Sequence, residues 1–214
     1  MSATDAAAME VAERKSRETE ELVARIRSGD LEAFEGLIRL HERRLLGMAV
    51  QMGLSPADAQ DACQEVFLRV FRYLGRFRAG QRFEAWLWRI AVNVVYDSLR
   101  SRRDRGEVPW DGLLQEGQAA RDGWGGLQVS VENADICAKL LARMEVLTQQ
   151  ERMVFVLKEL QDMDTPEIAR AMGISAITVR RHKSSALQKL RKVVTQLGRV
   201  KNPEDFVGGL NIPD

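Results

Sequence analysis

The stretch DTPEIARAMGISAITVRRHKSSALQKLRK, Asp164–Lys192, decides the fold class of the second half of this chain. Asp164 and Ser175 are residue types that cap helix starts, and Gly173 lies between them where a turn is needed. A short helix, a glycine-containing turn and a longer basic helix form the pattern of a helix-turn-helix. Such a motif places its second helix in the major groove of DNA, so the stretch predicts a DNA-binding module.

Side chains near the start of the second helix are the candidates for contacts with bases and phosphates. Arginine forms paired hydrogen bonds to guanine and threonine contacts the thymine methyl, whereas we expect Ile177 and Val179 on the core side. The candidate DNA-contacting residues are Ser175, Thr178, Arg180, Arg181, His182, Lys183 and Ser184. A helical hairpin without a ligand is the alternative, and the absence of acidic residues from 178 to 201 argues against it.

Helix signals in the first half lie on both sides of a short basic loop. Ser55 can cap a helix, Pro56 suits its first position, and Leu74-Gly75 ends it. The segment 76–82 is then the loop, and residues 66–83 contain five arginines and no acidic residue. Such basic stretches attract a polyanion although the formal net charge of the chain is only +1.

The helix after this loop has one apolar stripe and one polar face. The stripe consists of Phe83, Trp86, Leu87, Ile90, Ala91 and Val94. The polar face carries Arg89, Asn93, Asp97 and Arg100. By helical phase, Trp88 and Tyr96 are expected to be more exposed than Trp86.

Composition favours a soluble all-α protein of two small helical domains joined by a flexible linker. Hydrophobic residues make up 45% and charged residues 29% of the 214 residues, and only 5 prolines interrupt the periodic runs. We expect a flexible N-terminus (1–18), a first module (19–103), a linker (104–133), a helix-turn-helix module (134–201) and a flexible tail (202–214). Trp110 and Trp124 lie in the linker, where they either dock it or pack on the neighbouring modules.

Several function classes are not supported by the residues present. Cys63 and Cys137 are the only cysteines and His41 and His182 the only histidines, which leaves no zinc-binding spacing. We find no phosphate-binding glycine loop and no Ser/His/Asp set, so we expect neither an enzyme nor a cofactor. There is no apolar run of membrane-spanning length and no signal peptide, so a cytoplasmic location is expected.

Two motifs in the same order resemble the extracytoplasmic-function (ECF, group 4) sigma factors of bacterial RNA polymerase. The first is DAQDACQEVFLRVFRYLGRFR, 58–78, followed by FEAWLWRIAVNVVYDSLRSRR, 83–103. The second is LTQQERMVFVLKELQDMDTPEIARAMGISAITVRRHKSSALQKLRK, 147–192. The resemblance implies that the modules are sigma regions 2 and 4, which bind core polymerase and promoter DNA.

The resemblance also implies residue roles in region 2. The surface for the coiled coil of the polymerase β′ subunit would comprise Asp58, Asp61, Gln64, Glu65, Arg69 and Arg72. The minus-10 element, captured as an unpaired base, would meet Phe77, Arg78, Arg82, Trp88, Arg89, Asn93, Tyr96 and Arg100. A captured base needs an amide for its edge, an aromatic face and cations for its phosphates.

By the same resemblance, the helix-turn-helix reads the minus-35 element as duplex DNA, and the β and β′ subunits, promoter DNA and an anti-sigma factor are the expected partners. Relatives usually carry an arginine, an apolar residue and a second arginine where this chain has His182, Lys183 and Ser185. We expect Arg181 and Lys183 to supply the displaced positive charge. The alternative is a stand-alone helix-turn-helix regulator whose first half dimerises or senses a signal.

Overall fold

The structure is a computed structural model that describes residues 3–77, 82–106 and 144–196, and these residues form helices and no strand. The first module consists of α1 (Ala3–Arg27), α2 (Glu32–Gln51), α3 (Pro56–Tyr73) with a 3-10 turn (Leu74–Arg76), and α4 (Phe83–Asp104). The second consists of a 3-10 turn (Met144–Val146), α5 (Gln149–Phe155) continued by a π-helical turn (Val156–Leu160), α6 (Thr165–Met172) and α7 (Ala176–Gln196). The all-α class and the two-module arrangement are confirmed. The linker from 107, both its tryptophans, the tail from 197 and Arg78 lie outside the described residues.

Side-chain caps define where several helices begin. Ser55 accepts a hydrogen bond from the amide of Asp58 at 3.2 Å, which starts α3 as its sequence predicts. Helix α6 begins with a capping box, in which Asp164 accepts from the amide of Glu167 at 2.7 Å and the carboxylate of Glu167 accepts in return. Each bond satisfies an amide that the first helical turn leaves without a backbone partner.

Helix α1 begins earlier than the sequence patterns predict. Residues 1–18 were expected to be flexible, but the helix extends back to Ala3, so that boundary is wrong. Its inner part is held by a buried polar contact, in which the hydroxyl of Thr19 donates to the carbonyl oxygen of Lys15 and lies 3.1 Å from Nε2 of His41 on α2. Burial, with Arg44 and Lys15 nearby, lowers the pKa of His41 to about 4, so the imidazole is neutral at pH 7 and its Nε2–H donates to Thr19.

The two modules share one hydrophobic core. Within the first module, Leu37, Leu54, Val70 and Leu87 are almost completely buried where α1 to α4 meet. Helix α4 also packs against α6 of the second module, and the buried apolar side chains of both modules form one contiguous cluster. No helix among those described is long and apolar enough to cross a membrane.

Two half-buried arginines connect the modules through backbone carbonyl groups. Nε of Arg152 on α5 donates to the carbonyl oxygen of Gln51 at 2.8 Å, and Nη2 of Arg44 on α2 donates to the carbonyl oxygen of Gln161 at 2.7 Å. Burial lowers the pKa of Arg152 to about 10 and also lowers that of Arg44. Both side chains remain cations at pH 7, and each places its charge on an oxygen of the other module.

Replacing Arg152 tests this connection. We expect Arg152→Ala to lower the free energy of unfolding by about 2 kcal/mol, because a buried hydrogen bond to a charged donor contributes roughly 1.5–3 kcal/mol. Urea denaturation at pH 7 measures the change. The matched control is Arg39→Ala, which removes an exposed pair with Glu35 worth about 0.5 kcal/mol or less. Equal stability of the two variants would contradict the role given to Arg152.

Candidate DNA and polymerase interfaces

The turn between α6 and α7 fixes the start of the candidate recognition helix. Gly173 has φ of 68°, the left-handed conformation that a glycine adopts most easily at a helix end. The Ser175 hydroxyl oxygen accepts from the amide of Thr178 at 3.1 Å, and the two hydroxyl oxygens lie 2.8 Å apart. Ser175 and Thr178, both predicted to contact DNA, therefore use their hydroxyls to hold the first turn of α7.

The solvent-facing surface of α7 is basic. Its exposed side chains repeat at three- and four-residue spacing: Ile177, Arg180, Arg181, Ser184, Gln188, Arg191 and Lys192. No acidic residue occurs within α7. Arg180, Arg181 and Ser184, predicted from sequence, lie together on this surface, which we call the α7 face.

His182 and Lys183 are set back from the α7 face. Both are half-buried, and Nζ of Lys183 lies 3.3 Å from the carboxylate of Glu159. The ion pair compensates much of the lysine charge, so the expectation that Lys183 replaces a missing arginine is wrong. Arg180 and Arg181 provide the positive charge at the start of the face.

Ile177 is the residue for which the sequence reasoning was furthest from the structure. It was expected in the core, but 74% of the side chain is exposed, whereas Val179 two residues later is buried. The helical period predicts this difference, since two residues correspond to about 200° of rotation on a helix. Ile177 and Val179 therefore lie on nearly opposite sides of α7. The prediction for Ile177 followed the apolar character of the residue instead of its position on the helix.

Glu151 anchors α7 from beneath. Its carboxylate accepts from Oγ of Ser185 at 2.6 Å and from Nζ of Lys189 at 2.7 Å, while also closing a capping box with Thr148. Burial alone would raise the pKa of Glu151, but the hydrogen bonds from Lys189, Ser185 and Thr148 outweigh it and lower the pKa to about 2. Ser185 thus serves the packing of α5 against α7.

The polar face of α4 lies in solvent as predicted. Arg89, Asn93 and Arg100 are exposed and follow one another along the helix with Asp97 between them. Nη1 of Arg69 on α3 lies 3.6 Å from the carboxylate of Asp97. The face thus presents the amide of Asn93 between Arg89 and Arg100, with the carboxylate of Asp97 beside it.

Two aromatic predictions on this surface are wrong. Phe77 is only 8% exposed and packs at ring-centroid distances of 5.6 Å and 5.3 Å from Phe83 and Trp86. Trp88 is 3% exposed, and the guanidinium carbon of Arg44 lies 5.1 Å from its ring centroid. The ring faces of both are used in packing within the first module.

Tyr96 and Arg82 occupy intermediate positions. Tyr96 is half-buried with its hydroxyl turned inward, and burial raises the pKa of that hydroxyl. Arg82 is exposed, but its guanidinium pairs with Glu167 on α6 at 2.5 Å and lies 3.8 Å from Glu84. In this arrangement Arg82 connects the start of α4 to the helix-turn-helix.

The residues predicted to bind polymerase on α3 divide into two groups. Asp58 pairs with Arg102 of α4 at 3.2 Å, and Glu65 pairs with Arg69 at 2.6 Å, so their charges are partly compensated within the chain. Asp61, Gln64 and Arg72 are exposed.

An apolar groove lies beside these exposed residues and was not predicted as a site. It runs between α2 and α3 and has a volume of about 610 Å³. Its lining includes Phe34, Ile38, Leu46, Gln64, Leu68 and Phe71. Leu68 is 58% and Phe71 52% exposed. Their spacing of four and seven residues from Gln64 is the signal that could have found them, since such positions share one helix face.

The comparisons with known proteins match both modules. Residues 37–105 match the family profile described as Sigma-70 region 2, and residues 137–190 match the one described as Sigma-70, region 4. The RNA polymerase sigma factor CarQ of Myxococcus xanthus is 30% identical over 174 residues, which cover 81% of this chain and 95% of CarQ. The ECF RNA polymerase sigma factor SigM of Mycobacterium tuberculosis is 28% identical over 184 residues, covering 86% of this chain and 88% of SigM.

Solved structures show the same fold over most of the chain. CnrH in complex with the cytosolic domain of CnrY aligns with a TM-score of 0.62 at 26% identity, over 84% of this chain and 98% of CnrH. The sigma factor RpoE in complex with the anti-sigma factor NepR from Bartonella quintana aligns with a TM-score of 0.58 at 18% identity, over 77% and 98% of the two chains. The latter likeness concerns the fold alone.

The anchor beneath α7 has a pH dependence that can be measured. Because the folded state lowers the pKa of Glu151 to about 2, from an unfolded value of about 4.3, its stabilisation is complete above about pH 4.3. That stabilisation is lost as the pH falls toward 2. We expect Glu151→Gln to lower the free energy of unfolding at pH 7 by about 2–3 kcal/mol, and this difference from the unsubstituted protein to shrink below pH 4.3.

Urea denaturation at pH 7, 5, 4 and 3 follows the difference between the two proteins. Glu35→Gln serves as the control, because Glu35 forms only an exposed pair with Arg39 and its loss is expected to cost about 0.5 kcal/mol or less. If the loss of unfolding free energy in Glu151→Gln stays constant between pH 7 and pH 3, the ionised carboxylate of Glu151 does not provide the stabilisation.

Proposed function

This chain belongs to the extracytoplasmic-function sigma factors of RNA polymerase, and from that membership we propose how its two modules direct promoter-specific initiation. The first module docks on core polymerase and captures the minus-10 element as melted non-template strand. The second module reads the minus-35 element as duplex DNA. The observation that carries the proposal is the acid-free α7 face within the module that matches sigma region 4.

The groove between α2 and α3 is the docking site for core polymerase in this proposal. The coiled coil of the β′ subunit is the occupant, because helices dock into apolar grooves through side chains at three- and four-residue spacing. Leu68 and Phe71 supply apolar contact area, and the exposed Asp61 and Gln64 supply polar contacts beside it. Asp58 and Glu65 act mainly by orienting Arg102 and Arg69.

The exposed face of α4 captures the minus-10 element. The amide of Asn93 offers one acceptor and two donors to the edge of an unpaired base, and Arg89 and Arg100 neutralise the phosphates on either side. Since Phe77 and Trp88 are buried, the stacking surface is not supplied by those two rings in the arrangement described. Strand opening uses the binding energy of captured bases, without nucleotide hydrolysis.

Reading both elements at once requires the modules to separate. Elements named minus-10 and minus-35 lie about 25 base pairs apart, which at ~3.4 Å per base pair is roughly 85 Å of duplex. Helices α4 and α6 are in direct contact in the structure. The expected linker, 104–133, has 30 residues and can reach up to about 100 Å when extended, which is sufficient for the separation. The packed arrangement therefore corresponds to the protein away from the promoter.

Further properties follow from the family. We assign the protein to group 4, place it in the cytoplasm, and expect the β subunit to hold region 4. An anti-sigma factor is a proposed partner, in line with the anti-sigma factor bound to RpoE in the neighbouring structure. A stand-alone regulator is not favoured, because the first module matches sigma region 2.

Transcription with purified components tests the function. The protein is mixed with core polymerase and a library of promoter fragments, and the transcripts are sequenced. We expect initiation at a defined set of promoters only when both proteins are present, and weak DNA binding by the protein alone. Tight operator binding by the isolated protein, with no promoter-dependent transcripts, would support the stand-alone regulator instead.

The groove is tested by removing its two exposed apolar side chains. We expect the double variant Leu68→Ala, Phe71→Ala to bind core polymerase about 100-fold more weakly, since burying each side chain stabilises a complex by roughly 1.5 kcal/mol or more. Titration of core with fluorescently labelled protein measures the affinity. Leu31→Ala, which truncates an equally exposed side chain outside the groove lining, is the control. Unchanged affinity in the double variant would exclude the groove as the docking site.

Asn93→Ala tests the minus-10 site independently. Alanine is at least as favourable in a helix as asparagine, so the fold is retained. We expect core binding to stay unchanged and promoter opening to fall about tenfold, the effect of losing paired hydrogen bonds to a base. Permanganate footprinting of unpaired thymines measures the opening. A parallel loss of core affinity would contradict the assigned role.

A further inference from the structure

Ile177 is the most exposed large apolar side chain among the residues the structure describes. It is 74% exposed, compared with 62% for Leu31 and 58% for Leu68. A single exposed apolar residue is ordinary on a protein surface, so exposure alone carries no function. The position of Ile177 does indicate a function, because Ile177 is the second residue of α7 and lies at the start of the α7 face.

The start of α7 holds this side chain in a defined place. The bonds between Ser175 and Thr178 fix the first turn on both sides of Ile177 in sequence, and Val179 is buried in the core behind it. Isoleucine is branched at Cβ and adopts essentially one χ1 rotamer in a helix. The two γ carbons therefore have a preferred direction before any ligand binds, and little χ1 entropy is lost when they are covered.

The surroundings of Ile177 indicate the kind of surface that covers it. Arg180 and Arg181 lie one turn further along the same face, and α7 has no acidic residue. A ligand that meets cations and an isolated apolar group within one helical turn is a polyanion with a small apolar feature. In the major groove of DNA that feature is the C5-methyl group of thymine.

We propose that Ile177 is a specificity-determining residue of the helix-turn-helix, which contacts the C5-methyl group of a thymine in the minus-35 element. The inference rests on the proposed function of the second module and adds a base preference to it. Arg180 and Arg181 are the neighbouring guanine and phosphate contacts. At ~1.5 Å per residue, three to four residues advance the helix by about 4.5–6 Å, or one to two base-pair steps of ~3.4 Å. The preferred element thus contains a thymine within about two base pairs of a guanine.

Deoxyuridine provides the test, because it differs from thymidine only by the missing methyl group. A promoter is first selected with holoenzyme formed from the full chain and core polymerase. Each thymine of its minus-35 element, on either strand, is then replaced in turn by deoxyuridine. The initiation rate at subsaturating holoenzyme is measured for the unsubstituted protein and for Ile177→Ala.

One thymine is expected to respond in a characteristic way. Its replacement lowers the rate of the unsubstituted protein by about three- to tenfold, the effect of losing contact with one or two buried methyl groups. Ile177→Ala shows a similar loss on the thymine template and no further loss on the deoxyuridine template. Leu31→Ala, exposed to a similar extent but in the other module, retains the response of the unsubstituted protein.

The outcomes separate the two proposals. Absence of promoter-dependent transcripts overturns the proposed function and the inference that rests on it. Normal transcription that no deoxyuridine changes, or a selected element without thymine, overturns the role of Ile177 alone. An equal loss by Ile177→Ala on both templates also overturns it and assigns the side chain to a protein contact. Thermal unfolding of Ile177→Ala is expected to match that of the unsubstituted protein, because the side chain has almost no packing to lose.

Discussion

Helix α4 is buried on more than one side, and this constraint determines which of its residues can meet DNA. The first module covers it through α1 and α3, and α6 of the second module covers it again. Only a stripe containing Arg89, Asn93 and Arg100 remains in solvent. The aromatic rings nearby are committed to packing: Phe77 against Phe83, and Trp88 beneath Arg44. In the proposed minus-10 site, base recognition consequently depends on polar side chains, while the aromatic residues hold the helix in position.

The recognition helix depends in a similar way on groups that do not face the DNA. Ser175 and Thr178 set its first turn, and Glu151 holds its middle through Ser185 and Lys189. A carboxylate this deeply buried is stable as an anion only because several donors converge on it. It removes one lysine from the basic surface, and the exposed cations of α7 lie on the other side of the helix. One side of α7 is thus paired with Glu151 and holds the helix in place, while the other side carries the exposed basic residues.

Sequence reasoning located the helices well, because their ends carry local signals. The Ser55 cap, the start at Asp164 and the turn at Gly173 each depend on a few neighbouring residues, and all three are present in the structure. It was less successful where burial comes from a distant segment. Trp88 was placed in solvent by helical phase, whereas the guanidinium of Arg44 on α2 lies over its ring and the side chain is buried. Lys183 was counted as free because its partner Glu159 lies on another helix. Ile177 was expected in the core because it is apolar, although its spacing of two residues from the buried Val179 predicts an exposed side chain.

The contact between the modules is built from groups that water can replace at moderate cost. The ion pair between Arg82 and Glu167 links the modules, and Arg152 and Arg44 each donate to a backbone carbonyl oxygen of the other module. Both guanidinium groups are desolvated in the packed state, which their lowered pKa values reflect, and they regain hydration when the modules part. Each hydrogen bond from a charged donor contributes roughly 1.5–3 kcal/mol net, and the apolar surface shared by α4 and α6 supplies the remaining attraction. Such an interface holds the two modules together in the structure and suits the proposed separation of the modules on core polymerase and promoter DNA.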